Sequence, residues 1–326
     1  MICYSHVCFL LLFVNLHINS VLVRAEKLEM EGKDACSQYI YYDVHAQPAL
    51  DSEKKQLDEL TQLLQKRELI ETDPIDIIVE QPLSIVKLFD PKPRVTASLE
   101  ENIKKSNLKL TQVKPAEIRC ASLAALYLLQ KEIDPNYIFP QLAFVNEYHQ
   151  YVVEDVTFEE LIKEYHFHKD RINPFLQFVY ENETVLLDDL ELFDKYFNDF
   201  LETLKKYNIN TDVSILTYAQ KLKNERAEKE RKHLWSVISL LFGHLFDVYL
   251  FNRMYEGWQN NKKVMLIAGY MHALQVSQML NKIGLRVSKY YSTGHNPFGG
   301  AIKPLPNNQL DLFSKDFCLW NSCVIC

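Results

Sequence analysis

YIYYDVHAQPALDSEKKQLDELTQLLQKRELIETDPIDIIVEQP, running from Tyr39 to Pro82, is the stretch whose reading decides the fold. It opens with an aromatic run, Tyr39–Tyr42, and closes with a β-branched run, Ile75–Val79, just after Pro74. Both have strand character. Between them Leu57, Leu60, Leu63 and Leu64 recur at the spacing of one helix face, and Asp51 is a suitable N-cap. Strand, amphipathic helix, strand is a βαβ unit, which implies parallel pairing and a right-handed crossover.

A third run of the same kind lies late in the chain, in VMLIAGYMH, Val264–His272. Each run stops at side chains able to bind metal or move protons: Asp43 and His45 after the first, Glu80 after the second, His272 after the third. Neighbouring strands lie about 5 Å apart, so parallel pairing would gather these groups along one edge. Open α/β sheets bind ligands at the carboxyl edge of their strands.

Working outward, residues 26–38 read as a solvated leader. Asn107–Val113 alternates as a strand, Cys120–Gln130 has the alanine and leucine content of a buried helix, and Leu142–Val145 reads as a short strand. Residues 217–235 read as one highly charged helix, and about 150–235 as a helical insertion. Ser236–Trp258 is apolar enough for a core helix. Val276, Met279, Leu280 and Ile283 form the stripe of a helix that Gly284 would end at its C′ position. Leu285–Tyr291 reads as the last strand. The fold class expected is α/β: a mostly parallel central sheet flanked by helices, with the helical insertion, over residues 26–326 as one domain.

The chain has 326 residues, is 48% hydrophobic and 24% charged, and carries a net charge of −7. That length buries a sizeable core. No strongly basic stretch is present, so nucleic acid is not an expected partner. With 8 glycines and no GxGxxG or GxxxxGK[ST] string, a glycine-rich phosphate loop is not expected either. Val7–Val14 (VCFLLLFV) resembles the apolar core of a secretory signal, with cleavage expected after Ala25. The expected location is secreted or periplasmic; the alternative is anchoring by an uncleaved N-terminal segment. The tail Cys323-Val-Ile-Cys326 fits both a prenylation pattern and a plain cysteine pair. Membrane association is expected only through that tail or the N-terminal segment.

Among single residues, Asp43 and His45 suit metal ligation or a base with its orienting partner. Glu80 ends a buried run, where a carboxylate needs a partner. Gly269 permits close backbone approach, and His272 then sits near a helix N-terminus. Asp247, Tyr249 and Arg253 lie on the preceding helix, which starts near the functional edge and descends from it, so Asp247 is expected nearer the crevice than Arg253. Glu117-Ile-Arg119 places a charged pair before the alanine-rich helix, at what reads as another strand end. His166-Phe167-His168 reads as part of a solvated face, and Asn182-Glu-Thr184 as a glycosylation sequon.

Together Asp43-Val-His45, Glu80, and Gly269-Tyr-Met-His272 with Leu280-Asn-Lys-Ile-Gly284 resemble the superfamily of Tiki and TraB-type proteases, ChaN haem-binding lipoproteins and erythromycin esterases. The likeness covers about residues 38–90 and 235–291, and Asp43 stands where many members carry Gly or Glu. The resemblance implies an α/β core with two halves enclosing one site. It further implies one of three activities: metal-dependent peptide hydrolysis, lactone hydrolysis through His and Glu, or haem binding. The leading expectation is a divalent-metal hydrolase of amide or ester bonds. His45, Glu80, His272 and Asp43 would be ligands, and Glu80, Asp247 and Arg253 would take part in catalysis, Arg253 by steadying an anionic intermediate. The alternatives are a haem- or ligand-binding protein using Tyr42 and Tyr270, and a non-catalytic interaction protein. The substrate or small ligand stays open.

Overall fold

The structure is a computed structural model that describes residues 19–30, 33–46, 50–80, 84–86, 95–129, 143–145, 150–182, 186–222, 225–293, 304–306 and 309–313. The chain is mixed α/β. Among the described residues a six-stranded sheet has the order β5-β3-β8-β2-β1-β9. The strands are β1 (Asn19–Met30), β2 (Lys33–Ala46), β3 (Ile75–Val79), β5 (Thr111–Pro115), β8 (Lys263–Gly269) and β9 (Arg286–Ser292). β2, β8, β3 and β5 pair in parallel, and β1 runs antiparallel between β2 and β9. The expected βαβ unit is present as β2, α1 (Leu50–Ile70) and β3, but β8 lies between the two strands and pairs with both. α1 begins one residue before Asp51, which is therefore inside the helix rather than its cap.

Alternation along the strands divides the core in two. Ile40, Tyr42, Ile78, Leu266 and Ala268 face one side. There α3 (Cys120–Leu128), α4 (Phe158–Asn182), α5 (Leu187–Lys206), α7 (Glu225–Gln259) and α8 (Tyr270–Lys282) build the larger core. Tyr39, Tyr41, Ile77, Val79, Met265 and Ile267 face the other side, under α1, α2 (Val95–Lys105) and the segment around Leu310. Tyr41 donates its hydroxyl to the Leu310 carbonyl at 2.7 Å. A second, antiparallel sheet has the order β4-β6-β7, from Ser84–Val86, Ala143–Val145 and Gln150–Val152. α6 (Ile215–Lys221) closes the larger core, with Ser214 as N-cap accepting from Thr217 N.

Three expectations change. Residues 26–38 are no solvated leader: β1 and β2 form a long antiparallel pair, and Val23, Ala25 and Leu28 are fully buried. A cut after Ala25 would divide β1, whereas Val7–Val14 lies outside the described residues, as does Cys323–Cys326. The charged stretch 217–235 is not one helix. It is split between α6 and the start of α7, which continues without a break into the apolar half and reaches 35 residues. α7 is long and apolar enough to cross a membrane, yet Leu234, Ile238, Leu241, Phe242, Leu245 and Phe246 are buried inside the chain's own core. Finally, His168 is buried, while its neighbour His166 is exposed. Gly284 does end α8, with φ +101°, a left-handed conformation in which a side chain would be strained.

Candidate functional site

The carboxyl ends of β3 and β8 deliver Glu80 and Gly269 side by side. Glu80 N donates to the Ile267 carbonyl at 3.0 Å, which extends the β3–β8 ladder by one residue. Its side chain then turns back, and Glu80 Oε2 accepts from Gly269 N at 2.6 Å. A Cβ at residue 269 would lie 3.0 Å from that oxygen, so glycine lets the carboxylate approach the backbone. α8 starts at the next residue and places His272 one turn along, over the same edge.

His272 is held from two sides. Its Nδ1 meets Asp247 Oδ1 on α7, and its Nε2 lies 3.0 Å from Arg119 Nη1. With Asp247 ionised, the tautomer that satisfies both has Nδ1–H facing the carboxylate and the Nε2 lone pair facing the guanidinium. Phe246, one residue before Asp247, presents its ring at 4.9 Å to the imidazole and at 3.9 Å to the Arg119 guanidinium.

Arg119 comes from the segment between β5 and α3. Glu117 grips it in a fork: Nε donates to Oε1 at 2.8 Å, Nη2 donates to Oε2 at 2.6 Å, and Arg119 N also donates to Oε1 at 2.9 Å. Nη2 reaches Glu80 Oε1 at 3.2 Å as well. Burial acts against this charge, but Glu117, with Glu80 and Asp247, outweighs it and raises the Arg119 pKa above its ordinary value. Burial pushes the Asp247 carboxyl well above the usual carboxylate range; Arg119 pulls it back and Glu80 pushes it further up. Arg119 and His272 side chains are 3% and 4% exposed, whereas Glu80 and Asp247 keep 12% and 15%. The two carboxylates therefore mark the opening to solvent. Behind Arg119, Glu164 on α4 accepts from Ala121 N at 2.7 Å and Ser122 N at 2.9 Å, capping α3 from outside its own sequence. Burial raises the Glu164 pKa to about 8, against the pull of those two amides.

Glu80, His272 and Asp247 thus meet as the sequence pattern implies, and Asp247 is nearer the crevice than Arg253. Asp43 lies at the same edge, in register with Gly269, and is buried. Strand alternation places it with Tyr39 and Tyr41, on the side opposite His272. His45 is in β2, in register with Ser20, and its side chain lies outside the described residues. Arg253 takes no part in the cluster. It is six residues beyond Asp247, about 9 Å along the helix, and its Nη1 donates to Tyr249 Oη at 2.8 Å. Arg119 supplies the cation that Arg253 was expected to bring. The sequence signal for it was the Glu117-Ile-Arg119 triplet.

The described residues do not fit a divalent metal. The Arg119 guanidinium already lies within 3.0 Å of His272 Nε2 and 3.2 Å of Glu80 Oε1, so a metal would meet a fixed positive charge. Among the described residues no group of three His, Cys, Asp or Glu side chains has metal-binding geometry. Haem ligation does not fit the tyrosines either. Tyr42 is fully buried and donates to Glu26 Oε2 at 2.6 Å, and burial with that carboxylate raises its pKa far from the phenolate form. Tyr270 packs on it, ring centroids 5.3 Å apart, and accepts from Arg24 at 3.4 Å. Comparison with family models, curated proteins and solved structures returns no match for this chain.

Proposed function

We propose that the chain is a metal-independent hydrolase of ester or amide bonds, acting at the Glu80, Arg119, His272 and Asp247 cluster. The observation that carries the reading is the linked chain Asp247–His272–Arg119–Glu80 at the carboxyl edge of a parallel sheet. An imidazole oriented by a carboxylate through Nδ1 is the arrangement of a general base. His272 takes a proton from the attacking water through Nε2. The water oxygen bonds to the carbonyl carbon, and Arg119 Nη1, released as Nε2 takes up the proton, donates to the developing oxyanion while Glu117 keeps the guanidinium in place; a buried, fixed cation is worth more there than in water. The carbon–oxygen or carbon–nitrogen bond then breaks, and His272 returns the proton to the leaving group. Glu117 and Glu80 keep Arg119 charged and aimed, and Glu80 also ties it to the Gly269 amide.

The test is hydrolysis of p-nitrophenyl esters, a lactone and an anilide by the full chain, with and without EDTA. Turnover that survives EDTA and falls at least a hundredfold in His272→Ala is the expected result. Turnover that needs an added divalent ion, or that His272→Ala leaves intact, overturns the reading.

A further inference from the structure

Farther along α7, the helix roofs a cavity of about 450 Å³ on the sheet face, running from Lys262 and Val264 at the start of β8 to Ile78 of β3 and Lys114 of β5, within the range of small-ligand sites. Its floor is apolar: Ile78 of β3 and Val264 of β8. Gly257 of α7 touches that floor so closely that a Cβ there would lie 2.1 Å from Val264 Cγ2. The walls are charged. Lys114, Arg171, Arg253 and Lys262 outnumber the carboxylates Asp76 and Glu256. Asp76 is engaged by Lys114 at 2.5 Å. Lys262 forms no ion pair among the described residues. Arg253 spends one Nη1 donor on Tyr249 and lines the cavity beside it.

A second observation is independent of this charge. Asn252 also lines the cavity, is 7% exposed, and its amide oxygen has no hydrogen-bond partner among the described residues. A buried acceptor left unpaired is unfavourable unless something donates to it. Nothing in the proposed hydrolysis uses this oxygen, and Asn252 lies beyond Asp247 on the descending part of α7.

We propose that this cavity is a second binding site, for a small hydroxylated anion of the sugar-phosphate or sugar-acid class. The cations take the phosphate or carboxylate, and a ligand hydroxyl donates to the Asn252 oxygen, with Glu256 able to accept from another. The apolar floor takes a carbon face. The proposal does not depend on the hydrolase reading.

Calorimetric titration of the full chain with glucose 6-phosphate, gluconate, inorganic phosphate and glucose tests it. At least one of the two hydroxylated anions should bind at least tenfold more tightly than glucose or inorganic phosphate; which one it is separates the phosphate from the carboxylate source. Arg253→Gln should weaken that ligand tenfold or more. Asn252→Leu should weaken it as well, while raising the melting temperature of the ligand-free protein, because the unpaired oxygen is gone. That second readout holds even if Arg253→Gln folds poorly. His272→Ala should leave binding unchanged, which separates this site from the catalytic one. The proposal is overturned by no hydroxylated anion binding at millimolar concentration, by glucose binding equally well, or by binding indifferent to both cavity variants.

Discussion

One helix serves two unlike places. Near its middle α7 brings Asp247 to the carboxyl edge, where Arg119 is paired with Glu117 and Glu80 and the His272 ring is held by Asp247. Within two turns it brings Asn252 and Arg253 to the cavity on the sheet face, where cations outnumber carboxylates and a buried amide oxygen has no hydrogen-bond partner among the described residues. The first arrangement is closed and preorganised, suited to moving a proton among fixed groups. The second is open and unbalanced, suited to receiving charge from outside. Residue type alone does not separate them, since both contain arginine and carboxylates. What separates them is the balance of cations and carboxylates around each.

The sharpest way to break the contrast is to unpair the closed edge. Arg119→Met leaves Glu117 buried without its partner, and a buried charge orphaned in this way costs about 3–5 kcal/mol. Urea denaturation should register that loss. Arg253→Met, on the half-buried wall of the cavity, should cost under about 1 kcal/mol in the same assay. Equal losses would abolish the distinction.

On the chemical side, Asp247→Asn should reduce ester turnover by about 10²–10⁴-fold, the range for mispositioning a general base, with little change in KM.

The two places also share a device, a glycine where an element must approach closely, and the pair can be ranked. Gly257→Ala drives a methyl against Val264, and overpacking of this kind costs about 1–3 kcal/mol. Gly269→Ala meets only the carboxylate end of Glu80 at 3.0 Å. It should cost less stability, about 1 kcal/mol, but lower turnover, because Glu80 shifts. Thermal melts and ester assays on both variants decide the order.

Glu164, behind Arg119, tests the closed edge through pH. Folded, it holds its proton up to about pH 8; its ordinary value is 4.5. Between these values the folded state binds more protons than the unfolded one, so stability falls as pH rises, by at most about 1.4 kcal/mol per unit. Glu164→Gln keeps an acceptor for Ala121 N and Ser122 N but does not titrate. Its stability should therefore fall less steeply between pH 5 and pH 8. A slope identical to that of the parent would show that Glu164 is ionised throughout.

These residues differ in how far the sequence announced them. Glu80 was legible because it directly follows the apolar end of β3, and His272 because Gly269 ends β8 and opens the helix that carries it, so both come to the carboxyl edge. Asp247 followed from the direction of a helix that has to lead into β8. Arg119 was harder to place, since β5 reads Thr-Gln-Val-Lys-Pro, too polar to stand out as a strand whose end matters. β1 was misread for a related reason. Val21–Met30 mixes buried Glu26 with apolar residues, and its neutralisation by Arg24, Tyr42 and Ser277 exists only after folding. Arg253 pairs with Tyr249 by i,i+4 spacing, as the pattern implied, yet spacing on a helix says nothing about which part of the sheet the pair reaches.

By itself the sequence determined the periodicities: a βαβ unit, a late strand ending in Gly269, a helix ending at Gly284, and hence an α/β fold with proton-moving groups at strand ends. These depend on local sterics and on which face is apolar, both written in consecutive residues. Only the tertiary structure decided that β8 inserts between β2 and β3, that Arg119 rather than Arg253 joins His272 to Glu80, and that Asn252 is buried beside a cavity. Those outcomes rest on charges and hydrogen-bond donors brought together from separate segments, 39 residues apart for Glu80 and Arg119 and 153 for Arg119 and His272, and their pairing energies arise only when water has been removed between them.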